Sequence, residues 1–240
     1  MKKINLKGLV PHVIAIAVFA IVATIYCKPA LNGKVLQQSD TQGWKGMAQQ
    51  SFEVKEKTGR FPLWTNSMFG GMPTYQIAME GTSKIGVVIG YASNAYSLWL
   101  PLPIAFFFIA SLSFYILCIV AGIKLWVGIL GGLAYAYSTY NPIIVSVGHN
   151  TKMLSIAYAP ALIAGVLLLF QRKYIAGLLM TAFFSAVMIG QNHFQIVYYL
   201  LIIIAAMSIG FLVYSFKSNN VKNGLTATAL ALIGGIIGLG

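Results

Sequence analysis

Charge is what this sequence has least of. Only 8% of its 240 residues are Asp, Glu, Lys or Arg, and just four are acidic. A water-facing globular domain carries about 25% charged residues, so this chain cannot cover a solvated surface. With 58% hydrophobic residues and a mean hydropathy of +0.80, the composition is that of an integral membrane protein. Cysteine is nearly absent too. Cys27 and Cys118 stand alone in or beside apolar segments, outside any CxxC or Cys/His metal pattern, and read as small buried hydrophobes. The chain lacks a P-loop, GxSxG, HExxH and GxGxxG, which excludes the common soluble-enzyme motifs. No basic run is interleaved with aromatics on a polar surface. The net charge of +12 therefore points to membrane topology and anionic headgroups and not to nucleic acid.

What is present is a series of apolar segments. The first, about 9–27, follows "MKK". It matches the ~20 residues a bilayer span needs, and "CKPALNGK" follows it in place of a small-x-small cleavage site, so it reads as an uncleaved span. Further spans are expected at about 98–121, 125–141, 154–170, 174–190, 194–215 and 225–240. The expectation is an all-α integral membrane protein, a multi-span helical bundle of about seven spans in one transmembrane domain over 1–240. The stretch 85–98 is Gly- and Ser-rich and reads as interfacial or re-entrant. A long polar loop occupies 28–84, and 141–153 is a second polar break. The last span is still running at Gly240 without basic flank or aromatic belt, so the natural protein is expected to continue.

Basic residues in short loops set orientation. Lys2, Lys3 and Lys7 place the N-terminus in the cytoplasm, and Lys124, Arg172–Lys173, and Lys217 with Lys222 then fall on the same side. The outer side receives the 28–84 loop, "VGHNTKM" and "GQNH", which hold all four carboxylates, Lys152, and two of the three histidines. Ionisable groups near a membrane gather around function, so any chemistry faces outward. His12, alone in the first span, reads as structural or interfacial.

Within the outer loop, Asp40 to about Lys57 suits an amphipathic helix, with Trp44, Met47, Ala48 and Phe52 on one face and Lys45, Gln49, Glu53 and Glu56 opposite. Ser39 or Asp40 is a good N-cap type, so Asp40 divides between helix cap and functional carboxylate. Glu53 and Glu56 read as the solvated face, with Lys57 paired to Glu53. Glu80 receives no role. "GRFPLWTNSMFGGMPTYQ" combines Trp64, Phe69 and Tyr75 with two prolines and Gly70–Gly71. Such a loop lies on the membrane interface or lines a groove in which Asn66 and Gln76 supply hydrogen bonds. His149, Asn150 and Lys152 form a polar cluster suited to a phosphate, although a Lys at a span end also snorkels. Gln191, Asn192, His193 and Gln195 open the span near 194. Asn192 or Gln191 also reads as a cap, and Gln195 and Tyr199 share one face at i, i+4, where polar groups usually turn inward.

The string "LQQSDTQGWKGMAQQSFEVKEKTGRFPLWTNSMFGGMPTYQ", with "GHNTKM" and "NHFQIVYY", resembles the YfhO-like bacterial membrane proteins, whose long-chain members resemble those of the Bacteroidetes. That family is similar to the GT-C superfamily of membrane glycosyltransferases. The resemblance implies a GT-C-like fold in the bacterial cytoplasmic (inner) membrane. It also implies a polyprenyl-phosphate-linked sugar as donor and a cell-envelope polymer or lipid as acceptor. In teichoic-acid-free bacteria the acceptor is open. Asp40 falls where such enzymes place an essential acid, soon after the first span. Adjacent paired acids are common in that pattern; here Thr41 follows Asp40, which leaves a divalent metal neither required nor excluded.

The expected activity is outward-facing glycosyl transfer, with Asp40 as catalytic base and His149, Asn150 and Lys152 on the lipid phosphate. Trp64, Asn66, Tyr75, Gln76, Asn192, His193 and Gln195 would line the substrate pocket. The competing readings are a transporter or flippase of lipid-linked envelope intermediates, and a non-catalytic membrane scaffold.

Overall fold

The computed structural model describes residues 6–78 and 84–239, and its regular structure is almost wholly helical. Helix α1 (Leu6–Tyr26) leads through the single turn α2 (Lys28–Leu31) into α3 (Ser39–Thr58). A small antiparallel hairpin follows, β1 (Trp64–Thr65) paired with β2 (Met72–Pro73), and then a 3-10 turn at Thr74–Gln76. After α4 (Lys84–Tyr96) come α5 (Ile104–Val120), α6 (Leu125–Ala136), α7 (Tyr140–Val147), α8 (Asn150–Phe170), α9 (Tyr174–Ile189), α10 (Phe194–Lys217) and α11 (Val221–Ile237). Among the described residues, α1, α8 and α10 are long and apolar enough to cross a membrane. The apolar helices α5, α6, α9 and α11 run from 12 to 17 residues.

The core is built around α5, whose Ile104, Phe106, Phe107, Phe108 and Ile109 are buried against α1, α6 and α8. In an apolar solvent, helices associate through close packing of small residues and through hydrogen bonds. Both occur here. Thr181 of α9 wedges between Gly165 of α8 and Gly234 of α11; a Cβ at Gly165 would lie 2.9 Å from Thr181 Oγ1, and one at Gly234 3.0 Å from its Cβ. The Ser93 and Tyr158 hydroxyls meet at 2.6 Å, and those of Tyr96 and Ser113 at 2.9 Å. His12 Nδ1 meets the Tyr115 hydroxyl at 2.6 Å, the structural role expected of it. Cys27 and Cys118 are buried and free.

The helices alternate in direction, and the contacts at their tips define two ends. At one, the Tyr26, Phe107 and Tyr137 rings cluster at the end of α1, the start of α5 and the end of α6. At the other, Gln171 Nε2 donates to Val120 O at 2.7 Å, and the Tyr174 hydroxyl donates to Asn223 Oδ1. Lys124, Arg172, Lys173, Lys217 and Lys222 therefore collect at that second end, all exposed. Lys2 and Lys3 lie outside the described residues, as does Glu80. Helix α4 has 13 residues. It is about 20 Å long, and α6, at 12 residues, is shorter still.

Several boundaries differ from the sequence expectation. The span expected from 98 starts at Ile104, because Leu98 and Trp99 take left-handed φ and Pro101 and Pro103 bias the residues before them away from the helical region. The span expected over 125–141 stops at Ala136, and α11 begins at Val221 instead of 225. The supposed polar break at 141–153 is mostly helical. Asn141 Nδ2 bonds Tyr135 O at 2.9 Å and Ala136 O at 3.3 Å, which satisfies the carbonyls freed where α6 ends and lets α7 start at once. The break contracts to Gly148 and His149, and α8 begins at Asn150, four residues before the expected 154.

Candidate active site

The amphipathic helix expected from Asp40 to Lys57 is α3, and its start is latched to the junction of α7 and α8. Gln38 is the N-cap, in extended conformation, with its carbonyl accepting from the Gln42 N–H at 3.1 Å. Its side chain reaches across the fold. Nε2 donates to Val145 O at 2.6 Å and to Asn150 Oδ1 at 3.1 Å, while Oε1 accepts from Thr41 Oγ1 at 2.9 Å. The cap expected of Ser39 or Asp40 is thus displaced by one residue. Asp40 sits in the first turn of α3, where the helix dipole favours a carboxylate. Its Oδ2 lies 3.1 Å from His149 Nε2, and its Oδ1 accepts from Ser39 Oγ at 3.2 Å. Asp40 is 51% and His149 47% exposed, so a substrate hydroxyl can reach the pair from solvent.

Gly148 makes the latch possible. Its φ of +109° belongs to glycine, and a Cβ there would stand 2.6 Å from Thr41 Oγ1. His149 is the N-cap of α8, and Asn150 and Lys152 lie in the first turn. Lys152 Nζ lies over the Tyr140 ring, 5.1 Å from its centroid, a cation–π contact. A lysine at a helix start opposes the dipole and contributes nothing to the helix, but the same field suits a bound anion. His193 is the N-cap of α10. Burial, then the positive charge of Lys152 and then His149, hold its imidazole below the usual histidine value of 6.5. Its Nε2 is buried without a hydrogen-bond partner.

Beside His193 opens an apolar cavity of about 770 Å³ between α8, α9, α10 and α11. Phe194 and Tyr198 flank it at the His193 end, and Leu212 and Thr228 lie toward the basic end. Thr181 Oγ1, on its wall, has no partner. A cavity of this size falls within the range of small-ligand sites.

The remaining expected pocket residues lie elsewhere. Trp64 and Asn66 bond each other at 3.1 Å in the hairpin, and that hairpin sits on the middle of α3, through Gln50 and Met47, instead of over Asp40. Tyr75 and Gln76 are neighbours in the exposed 3-10 turn. Asn192 is exposed with φ +56° and forms the α9–α10 turn, a conformation asparagine tolerates; Gln191 Nε2 donates to Val187 O at 3.0 Å and closes the end of α9. Gln195 does bond the Tyr199 hydroxyl, at 2.8 Å, but both are exposed and do not turn inward. Glu53 accepts from Gln49 at 2.8 Å in place of Lys57. Gln38, Thr41, Tyr140 and Gly148 went unread because their roles arise only between elements; the adjacency of Gln38 to Asp40 and of Gly148 to His149 was the signal available.

Among the described residues, no three His, Cys, Asp or Glu side chains gather as metal ligands. Asp40 and His149 supply two donors, too few for a closed structural zinc site, whereas a Mg²⁺ ion shared with a phosphate takes as few as one or two carboxylates. Comparison with known families, with characterised proteins and with solved structures returns no match.

Proposed function

We propose that this protein is a membrane glycosyltransferase that takes a sugar from a polyprenyl-phosphate carrier and places it on a hydroxyl of a cell-envelope acceptor. The observation that carries the reading is the meeting of Asp40 with His149, beside Asn150 and Lys152, at the end of the bundle opposite the basic turns. The apolar cavity beside His193 gives a lipid carrier somewhere to lie. On this reading the apolar helices α1, α5, α6, α8, α9, α10 and α11 are seven spans of a GT-C-like domain. The basic end faces the cytoplasm, and the Asp40 end faces outward.

The chemistry follows from the atoms. The acceptor oxygen attacks the anomeric carbon and forms the new glycosidic bond. The bond from that carbon to the carrier phosphate breaks, and the phosphate leaves with the electron pair. Asp40 takes the acceptor's proton, and its charge steadies the developing positive charge on the sugar ring. His149 orients the carboxylate. Lys152 and Asn150 hold the phosphate, Lys152 as a point charge and Asn150 through its amide N–H. No step requires a metal. The test supplies membranes containing the protein with radiolabelled polyprenyl-phosphate sugars. Transfer to endogenous acceptor that vanishes in Asp40→Asn, with insertion unchanged, is the expected result; full transfer by that variant would sink the assignment.

One observation favours a second reading, a lipid flippase. The cavity lining extends along most of α10, from Phe194 to Leu212. Scrambling of a fluorescent polyprenyl phosphate in proteoliposomes, independent of Asp40, would select it.

A further inference from the structure

The hairpin after α3 is turned inside out. Its buried side chains are polar: Thr65 is 3% and Thr74 2% exposed. Thr65 Oγ1 donates to Gln50 Oε1 at 2.6 Å, Ser67 Oγ donates to Met47 O at 3.1 Å, and the Thr74 hydroxyl bonds Pro62 O. Its large apolar side chains point out, with Leu63 89% and Phe69 87% exposed and Trp64 and Tyr75 more than half so. A structure bathed in water on that side buries these and exposes the threonines. The arrangement is held firmly. Thr74 N donates to Leu63 O at 3.0 Å, and a Cβ on Gly71 would strike Trp64 Nε1 at 2.7 Å, so the indole lies flat against the turn.

We propose that this face docks on the anionic lipid surface of the bilayer that holds the apolar helices, with Leu63, Trp64, Phe69 and Tyr75 seated in the headgroup region. Three observations choose lipid as the occupant. The residue types are those of interfacial anchors. The charge is complementary: exposed Lys57 and Arg60 stand at the junction of α3 and the hairpin, where they meet anionic headgroups. Glu53 and Glu56 share the opposite side of α3 with Lys45 and Gln49, away from the Met47–Gln50 side that carries the hairpin. Finally, α3 has 20 residues and starts at the bundle. The hairpin is therefore tethered within about 30 Å of the membrane surface, where the bilayer is present at high effective concentration and any other partner must be recruited.

This inference does not rest on glycosyl transfer. The test uses the full chain in nanodiscs, with Cys27 and Cys118 replaced by Ser and an environment-sensitive fluorophore on Phe69→Cys. A second sample carries the label on Glu56→Cys, on the far face of α3. The expected result is blue-shifted emission at position 69, quenched by brominated lipids, stronger in phosphatidylglycerol than in phosphatidylcholine discs, with position 56 water-like. Water-like emission at position 69 in both lipids would overturn the proposal. So would equal quenching at both positions, which would mean that the whole segment lies in lipid without a docking face. Emission at 69 that turns apolar only on addition of envelope polysaccharide would assign the face to carbohydrate and would overturn it as well.

Discussion

The two ends of the bundle handle polarity in opposite ways. At the basic end Lys124, Arg172, Lys173, Lys217 and Lys222 are exposed single charges at turns, and the hydrogen bonds that join those turns, such as Gln171 to Val120 O, run to neutral groups. At the other end polar side chains bond to one another across long stretches of chain, Gln38 to Asn150 and Asp40 to His149, and Thr41 adds a local bond to Gln38. Exposed cations of the first kind set orientation and meet headgroups. Polar groups that hold each other at fixed distances are what a reaction site requires. On the proposed reading, function belongs to the Asp40 end, and substitutions should separate the two.

The largest expected effect is chemical. Asp40→Asn should reduce transfer by about 10²- to 10⁴-fold, the usual share of a general base, as measured with labelled polyprenyl-phosphate sugar, whereas Lys124→Gln should leave the rate unchanged. Next comes the latch. Gly148→Ala forces a side chain into φ +109° and against Thr41, at a cost of about 1–3 kcal/mol. The expected readout is faster hydrogen exchange in the first turn of α3, at the Gln42 N–H that bonds Gln38 O. Unchanged exchange there would break the latch argument. Lys152→Ala should raise KM for the lipid-linked donor by roughly ten- to a hundredfold, from the loss of one charge-assisted contact, with kcat much less affected. A kcat loss with unchanged KM would place the contribution of Lys152 in the transition state, on the charge that the leaving phosphate gains, and not in donor binding.

The smallest effect is the pH dependence through His193. Its folded-state value lies below 6.5 because burial and the charges of Lys152 and His149 disfavour the protonated ring. The unfolded chain therefore binds more protons in that window. Stability should be whole above about pH 6.5 and fall as pH drops through the unfolded value, until the folded-state imidazole also protonates. His193→Gln should flatten that limb of the thermal-stability profile in detergent. An unaltered limb would remove His193 from the cluster.

Much of this architecture was legible in the residues. Long apolar runs and tight basic turns located the helices within a few residues, because a bilayer demands continuous apolar stretches and leaves little choice of structure. The amphipathic period of α3 was equally plain. The polar break at 141–153 was misjudged, since a lone Asn141 side chain can repair the end of one helix and permit the next, and nothing local announces that bond. The expected pocket likewise split. Its aromatic and amide residues at Trp64, Asn66, Tyr75 and Gln76 are near Asp40 in sequence and still form a separate hairpin.

By itself, then, the sequence determined the solvent in which the chain lives, the helical class, the segregation of basic turns and the shortage of carboxylates that singles out Asp40. Composition and periodicity suffice for these because each is a property of short segments. Only the tertiary structure decided which histidine stands against that carboxylate, that Gln38 and Gly148 hold the two together, and that the hairpin wears its apolar side outward. Those are contacts between residues up to 112 positions apart, and no local preference encodes a distance of that kind.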